Sequence, residues 1–484
     1  MRTLRIVCLV AVIVVFAGIP GRTVAAESGS RDRGAFSIGT EEQTGIAVTI
    51  YNVNLGLVRD RRKVILPAGE HEVRFLGVAS EIIPASVHVG SLTDPGSFRV
   101  IEQNYAYDLL NPQKLLDTYV GKEVTLYEKN PYTEREEFVR ATLLSNNSGP
   151  IFRIGDSIVI GHTGRIIFTG LPDNLVGKPT LVWTVRNGRE GEQEIEASYL
   201  TNGITWRADY TVTVGEGGDR ADISGWVTID NRSGATYRDA RLALIAGDVH
   251  RAPGAPEYQQ RLLRTADVAA KAEPQFREEE LFEYHRYTLD RAATIEENEM
   301  KQIGFLSADG VPVHTEFVFA GAAHYYYNRV ADAAGEQKVG VFVEMENRRE
   351  SRLGIPLPKG TMRVYKRDGD GGVQFIGEDL VNHTPKDQKV RIRLGSAFDV
   401  TGKRTQTDWK KIASDTYEAG FEIVLSNHKR EDVVVKVIEP IPGDWTMLSA
   451  SHPHRKTEAY AAEFAVPVKR DGETVLAYRV RMRF

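Results

Sequence analysis

From Gly45 onward the chain alternates short apolar, β-branched runs with glycine- and proline-marked breaks. Ile46-Ala47-Val48-Thr49-Ile50-Tyr51 predicts a strand, and Asn52-Val53-Asn54-Leu55-Gly56 a turn. Leu57 to Leu66 predicts the returning strand, stopped by Pro67-Ala68-Gly69. Val73–Leu76 and Ser86–Val89 continue the pattern. Residues 122–195 add five or six short strands, among them Val124–Tyr127, Ile158–Ile160, Arg165–Phe168 and Leu181–Arg186. That density of strands and glycines fits a small barrel or an added sandwich. One helix interrupts this half over 111–120: Asn111 caps it, Pro112 suits its first turn and Gly121 ends it. Leu115, Leu116 and Tyr119 share one face of that helix.

Three later segments resemble one another: each is a β-rich run that ends in asparagine and is followed by polar residues and another strand. They are Val227–Arg232, Val341–Arg348 and Glu422–His428. Asparagine leaves a strand well, because its amide bonds nearby backbone and tolerates left-handed geometry. The expected fold class is therefore mainly β. Tandem immunoglobulin-like β-sandwich modules follow an N-terminal β domain with one short helix. The expected organisation is a signal peptide over 1–26, a flexible lead-in over 27–45 and an N-terminal β region over 46–195. A sandwich over 196–335 and a C-terminal sandwich over 336–484 complete it. Residues 251–283, Ala- and Glu-rich and poor in β-formers, are expected to be a mobile insertion or a short helix on the first sandwich.

The first residues change the picture of where the protein works. Arg2 and Arg5 precede an uncharged apolar run from Ile6 to Ile19, Pro20-Gly21 breaks it, and Val24-Ala25-Ala26 supplies small residues for cleavage. The run is shorter than the roughly 20 residues a membrane-spanning helix needs, so cleavage after Ala26 is favoured over an anchor. A periplasmic, cell-surface or secreted protein is expected, with no transmembrane helix after signal cleavage. The single cysteine, Cys8, lies inside that signal, which leaves no disulfide, thiol nucleophile or thiolate metal site beyond it. With the signal removed, 58 basic residues face 66 acidic ones, and a mildly acidic surface argues against nucleic acid as a partner.

Several longer stretches carry a family resemblance. They are Tyr199–Tyr210 (YLTNGITWRADY), Phe282–Leu289 (FEYHRYTL), Leu353–Gly360 (LGIPLPKG) with Arg363-Val364-Tyr365, Gly395–Val400 (GSAFDV), and upstream Glu102–Leu110 (EQNYAYDLL). In these the chain resembles the bacterial domain-of-unknown-function family 4139, some members of which are called mucoidy inhibitors, over roughly residues 46–484. The resemblance implies the β fold and export, and it implies no catalytic residues. Members called mucoidy inhibitors carry a long coiled coil between their halves, whereas this chain has no heptad run there.

Candidate chemistry is sparse. Gly155-Asp156-Ser157 lacks the second glycine of a nucleophile elbow and leads into a strand. Gly215-Glu216-Gly217-Gly218 lacks the lysine of a phosphate loop. The eleven histidines are scattered, and His452-Pro453-His454 is the tightest pair. Calcium is the better metal candidate: Asp368 and Asp370 lie in the flexible Asp368-Gly369-Asp370-Gly371-Gly372 stretch, and Asp379 falls at the twelfth position. A glycine-rich hairpin between Tyr365 and Phe375 accounts for the same residues. No cofactor is evident otherwise.

Two aromatic clusters are candidate binding surfaces: Tyr284, His285 and Tyr287, and the run Tyr325, Tyr326 and Tyr327. Ordinary strand alternation explains them as well, and the five tryptophans read as core. The C-terminal alternation Leu476–Phe484 fits a terminal sandwich strand or the last strand of an outer-membrane barrel. The expected function is a non-catalytic binding, scaffold or assembly factor of the bacterial envelope, with an envelope protein or glycan as partner. The alternative is an envelope polysaccharide or peptide hydrolase that uses carboxylates brought together only by folding.

Overall fold

The structure is a computed structural model that describes residues 35–106, 110–129, 135–162, 164–170, 175, 177–247, 249–250, 275–330, 337–458 and 460–484. The expected signal segment 1–26, with Cys8, and residues 251–274 of the expected insertion lie outside the described residues. Among the described residues the fold is mainly β, built of four-, five-, eight- and 13-stranded sheets with one α-helix, Pro112–Tyr119. No helix there is long and apolar enough to cross a membrane.

Period-two alternation explains the layers. In Ile204–Val214, Trp206, Ala208, Tyr210 and Val212 are buried while the residues between them are half-exposed. This strand belongs to the 13-stranded sheet, and its Trp206 ring faces Tyr287 of the eight-stranded sheet with centroids 6.4 Å apart. Farther along the same face the eight-stranded sheet packs on the four-stranded one, where Arg62 lies over the Phe75 ring at 3.6 Å, and Phe75 meets Trp183 of its own sheet at 5.2 Å. The two sandwiches so formed have one continuous hydrophobic core. A second core, around Phe421, Phe464, Leu476, Tyr478, Val480 and Met482, fills the C-terminal sandwich. The alternation of 476–482 thus serves a sandwich interior.

The expected boundary at 195/196 falls inside the strand Gly191–Thr201, which pairs along Leu55–Leu66. Gln43–Tyr51 pairs in parallel with Tyr237–Ala246 from the next expected module. Glu299–Ala320 and Lys389–Lys411 each run from one core into the other, with Val311 and Ile392 in the first and Phe319 and Val400 in the second. The modules are therefore stitched by shared strands, and no linker composition marks their joins.

Five strands, Glu123–Lys129, Glu136–Ser145, Ile151–Ile154, Ser157–Ile160 and Arg165–Ile167, form an inserted sheet of their own, closed on one face by the helix. Asn111 Oδ1 accepts from Lys114 N at 2.9 Å, as its capping role requires, and Leu115, Leu116 and Tyr119 pack on Val124, Leu126 and Phe152. The described end of the expected insertion is a hairpin, Phe276–Leu281 with Tyr284–Leu289, in place of a loop or helix. Its weak β-formers are held by cross-strand polar contacts, Glu278 with His285 at 2.8 Å and the Glu279–Arg286 ion pair at 2.7 Å, and Phe276 packs toward Phe305.

The three asparagines take one role. Asn231, Asn347 and Asn427 are fully buried, and each Nδ2 donates to carbonyls of the chain that follows. Asn231 reaches Ala235 O and Glu296 O, Asn347 reaches Ile355 O and Pro385 O, and Asn427 reaches Glu431 O and Val468 O, all within 3.3 Å. Each Oδ1 accepts a backbone N–H in return, from Ser233, Gly354 and Lys429 respectively. Each asparagine ties a strand exit to a neighbouring loop.

Candidate functional site

The C-terminal sandwich carries the site. In Thr416–Asn427, Ala419, Phe421, Ile423 and Leu425 enter the core, which turns Glu418, Gly420 and Glu422 to the outer face. In Gly472–Arg483, Leu476, Tyr478 and Val480 point inward, and Ala477, Arg479 and Arg481 outward. Gly420 lies opposite Arg479 and Glu422 opposite Ala477, so two small residues sit diagonally between charged ones. The flanking strands are both irregular, with register shifts between Gln406 and Asp408 on one side and Met447 and Ser449 on the other. Bulges of this kind bend a strand and re-aim its side chains.

Low floor and bent walls leave an open concavity of about 460 Å³, lined by Thr407, Gly420, Glu422, Ser449, Ser451, Ala477 and Arg479 among others. A Cβ on Gly420 would lie 2.9 Å from Thr407 Oγ1, so glycine keeps the floor open. Arg479 Nη2 donates to Asp408 Oδ2 at 2.8 Å, and Arg479 Nη1 lies 3.7 Å from Glu418 Oε2. Hydrogen bonds from Arg479 and then Lys410 hold the Asp408 carboxyl below its ordinary range. Glu418 also accepts from Arg481 at 2.7 Å. Glu422, by contrast, is exposed and has no ion-pair or hydrogen-bond partner among the described residues. Ser451 Oγ accepts from Ala477 N at 2.9 Å and lies 2.9 Å from His452 Nδ1, which fixes the rim. The arrangement offers one free carboxylate, one neutralised guanidinium and several hydroxyls to a polar ligand.

Directly behind this floor the core holds a charged cluster. Arg404 pairs with Glu439, both fully buried, and the guanidinium lies 4.9 Å from the Tyr325 ring and 5.1 Å from Phe319. Tyr326 donates to Glu439 Oε2 at 2.7 Å, and its hydroxyl lies 2.8 Å from that of Tyr478, which shares its strand with Arg479. Burial pushes the Glu439 carboxyl up, opposed by Arg404 and the two hydroxyls. A Cβ at Gly321 would come within 2.4 Å of Glu439 Oε2, so glycine is what lets the cluster close.

The residues expected from sequence scatter differently. Tyr326 and Tyr287 are buried and are therefore not surface residues: Tyr326 completes the charged cluster and Tyr287 donates to Pro356 O at 2.9 Å. Tyr325 is half-buried and accepts from Gln337 Nε2 at 3.0 Å, while Tyr327 is exposed with its edge on Phe484, 5.2 Å away. Tyr284 and His285 lie half-buried on the edge hairpin, whose turn residue Phe282 is 91% exposed at φ +58°.

The three acids weighed for calcium are not brought together. Asp368 and Asp370 sit at the tip of the hairpin Gly360–Arg367/Val373–Val381, whereas Asp379 pairs opposite Met362 near its other end. Asp368 accepts from Gly372 N at 2.6 Å, and both Asp379 oxygens accept backbone N–H groups, from Leu380 and Arg393. The glycine-rich hairpin is the arrangement present. His452 and His454 are engaged separately, the first with Ser451 and the second against Trp445 and Phe464. Of the tryptophans, Trp183, Trp206 and Trp445 are buried, and Trp226 and Trp409 half-buried.

Sequence reasoning missed the concavity and the Arg404–Glu439 pair. The first is made by two bulges and the second by residues 35 positions apart, and neither leaves a linear motif. No protein-family model matches the chain, and no curated protein matches it.

Proposed function

We propose that this protein is an exported binding and scaffold protein of the bacterial envelope that holds a hydroxyl-rich ligand, a glycan carrying amino groups, on the outer face of its C-terminal sandwich. The observation that carries the reading is the free Glu422 carboxylate in an open concavity rimmed by Thr407, Ser449 and Ser451. Hydroxyls and a carboxylate on rigid strands suit the polar groups of a sugar, and the carboxylate favours a cationic amine. The acids flanking it are engaged, Asp408 with Arg479 and Glu418 chiefly with Arg481, which favours holding a ligand over acid–base work on it. Export rests on the basic start, the apolar run and the small residues before Glu27, and it agrees with what the family resemblance implies.

The test is calorimetric titration of the mature chain with glucosamine oligomers and, in parallel, N-acetylglucosamine oligomers. The reading expects saturable heat with the first, weaker heat with the second, and loss of the preference in Glu422→Gln. Absence of heat with both sugars, together with unchanged hydrogen exchange at 447–451 and 476–480, would overturn it.

A further inference from the structure

The outer face of the 13-stranded sheet carries aromatic rings that no core claims. In Arg220–Asn231, Ala221, Ile223, Val227 and Ile229 enter the core, which turns Asp222, Ser224 and Trp226 outward. Trp226 joins none of the hydrophobic cores among the described residues, and its Nε1 has no hydrogen-bond partner there. Its cross-strand neighbours are Asp209 and Gly304, and the glycine has no side chain to cover the indole. A second aromatic station lies diagonally across the same face, where Tyr365 meets Phe375 at 5.6 Å and Phe375 is 55% exposed. Tyr365 stands opposite Thr213, which alternation also turns outward. Two strand spacings across and four residues along separate Trp226 from Tyr365, roughly 16 Å.

The ground between the stations is low and hydroxylated, with Thr211, Thr213 and Ser224 on neighbouring strands. Its charges answer one another. Asp209 pairs with Arg207 at 3.2 Å and with Arg363 at 3.3 Å, and Arg363 pairs with Glu378 at 3.3 Å. Asp222 pairs with Arg367 at 3.3 Å. Two guanidiniums therefore meet two carboxylates in the middle of the face, and a third pair closes its end. A cationic ligand finds its carboxylates already taken, and a polyanion finds its guanidiniums taken. Aromatic rings with hydroxyls between them suit uncharged sugar rings, whose C–H faces stack on aromatics and whose hydroxyls exchange hydrogen bonds with serine and threonine.

We propose that this face holds an uncharged, β-linked pyranose chain, with one ring on Trp226 and a later ring on the Tyr365–Phe375 pair. Such a chain forms a flat ribbon that a sheet face of short side chains can follow. One sugar reaches one station only, so affinity comes from a chain long enough to engage both at once. The site is separate from the C-terminal concavity: that one offers a free carboxylate to an amine, and this one selects against charge of either sign.

The probe is cellohexaose, titrated calorimetrically into the full chain, with cellobiose and hexagalacturonate as comparisons for length and charge. The expected result is saturable binding of cellohexaose, with each comparison weaker by about tenfold or more. Trp226→Ala and Phe375→Ala, both on the solvent face, should each weaken cellohexaose by about tenfold, and Trp226→Phe, which keeps a ring, should recover part of the loss. Glu422→Gln should leave cellohexaose binding unchanged, so that this site and the concavity succeed or fail separately. The proposal is overturned by the absence of binding tighter than about 1 mM, by hexagalacturonate or cellobiose binding as well as cellohexaose, or by full cellohexaose affinity in Trp226→Ala. It is equally overturned if sedimentation shows a dimer that Trp226→Ala dissociates, since a second copy of the chain would then cover the face.

Discussion

Tyr326 donates its hydroxyl proton to Glu439 Oε2 at 2.7 Å inside the C-terminal sandwich, where the same carboxylate also meets Arg404. A buried ion pair returns little net stability when both members are present, because each must be stripped of water. Removing one member is different, since it strands the other. Glu439→Gln is expected to destabilise the C-terminal sandwich by about 3–5 kcal/mol in urea unfolding. The double change Arg404→Met with Glu439→Met should recover most of that loss. A double variant no more stable than Glu439→Gln would show that the cluster is held by packing and not by charge.

Acid titration should separate this carboxyl from the partly buried one of Glu316. Burial alone would raise Glu316, yet Lys436, Arg391 and His314 outweigh it and hold its carboxyl below the ordinary 4.5. A lowered folded pKa gives stability that is present above 4.5 and is lost as pH falls through the folded value. Glu439 is raised from 4.5, so its contribution is present below that value and is lost as pH rises through the folded pKa. Thermal melts of Glu316→Gln should therefore approach the wild type toward acid pH. The pH-dependent part of the Glu439→Gln difference should have the opposite slope, and equal slopes would contradict the assignment.

Most strands were legible because period-two alternation is a local signal: Ile46–Tyr51, Leu57–Leu66 and Leu476–Met482 all pack as their pattern predicts. So was the Asn111 cap. The partners of those strands were not, because parallel pairing such as Gln43–Tyr51 with Tyr237–Ala246 joins residues about two hundred positions apart without any sequence mark. Tyr325, Tyr326 and Tyr327 show the same limit at the site. Three identical neighbours fall into half-buried, buried and exposed places because a short 3₁₀ turn, Ala323–Tyr326, ends among them.

The buried asparagines should be worth more than their size suggests. Asn347 donates to Ile355 O and Pro385 O and accepts from Gly354 N, so its loss leaves several backbone groups unmatched in the interior. Each such group costs about 1–3 kcal/mol. Asn347→Ala is expected to cost about 3 kcal/mol or more, and Asn347→Asp at least as much, because a carboxylate cannot donate to the two carbonyls. Asn427→Asp should behave alike, given its donation to Glu431 O and Val468 O. Denaturant unfolding of the Asp variants decides it; if they were as stable as wild type, the amide donors would have no structural role.

Gly420 tests whether the concavity itself, and not its charge, receives the ligand. A Cβ there would lie 2.9 Å from Thr407 Oγ1 and 3.6 Å from Asp408 Cβ, so Gly420→Val forces Thr407 aside and fills the floor. Two effects are then mixed: strain of about 1–3 kcal/mol from overpacking, and occupation of the site. Adding Thr407→Ala separates them, because it removes the clashing hydroxyl while the valine still fills the floor, and Thr407→Ala alone reports how much binding is lost with the Thr407 hydroxyl. The double variant should regain stability and still fail to bind glucosamine oligomers, with affinity down at least about tenfold. If binding returned along with stability, the loss in Gly420→Val would be a consequence of strain, and the ligand would have to sit elsewhere than over the Gly420–Ala477 floor.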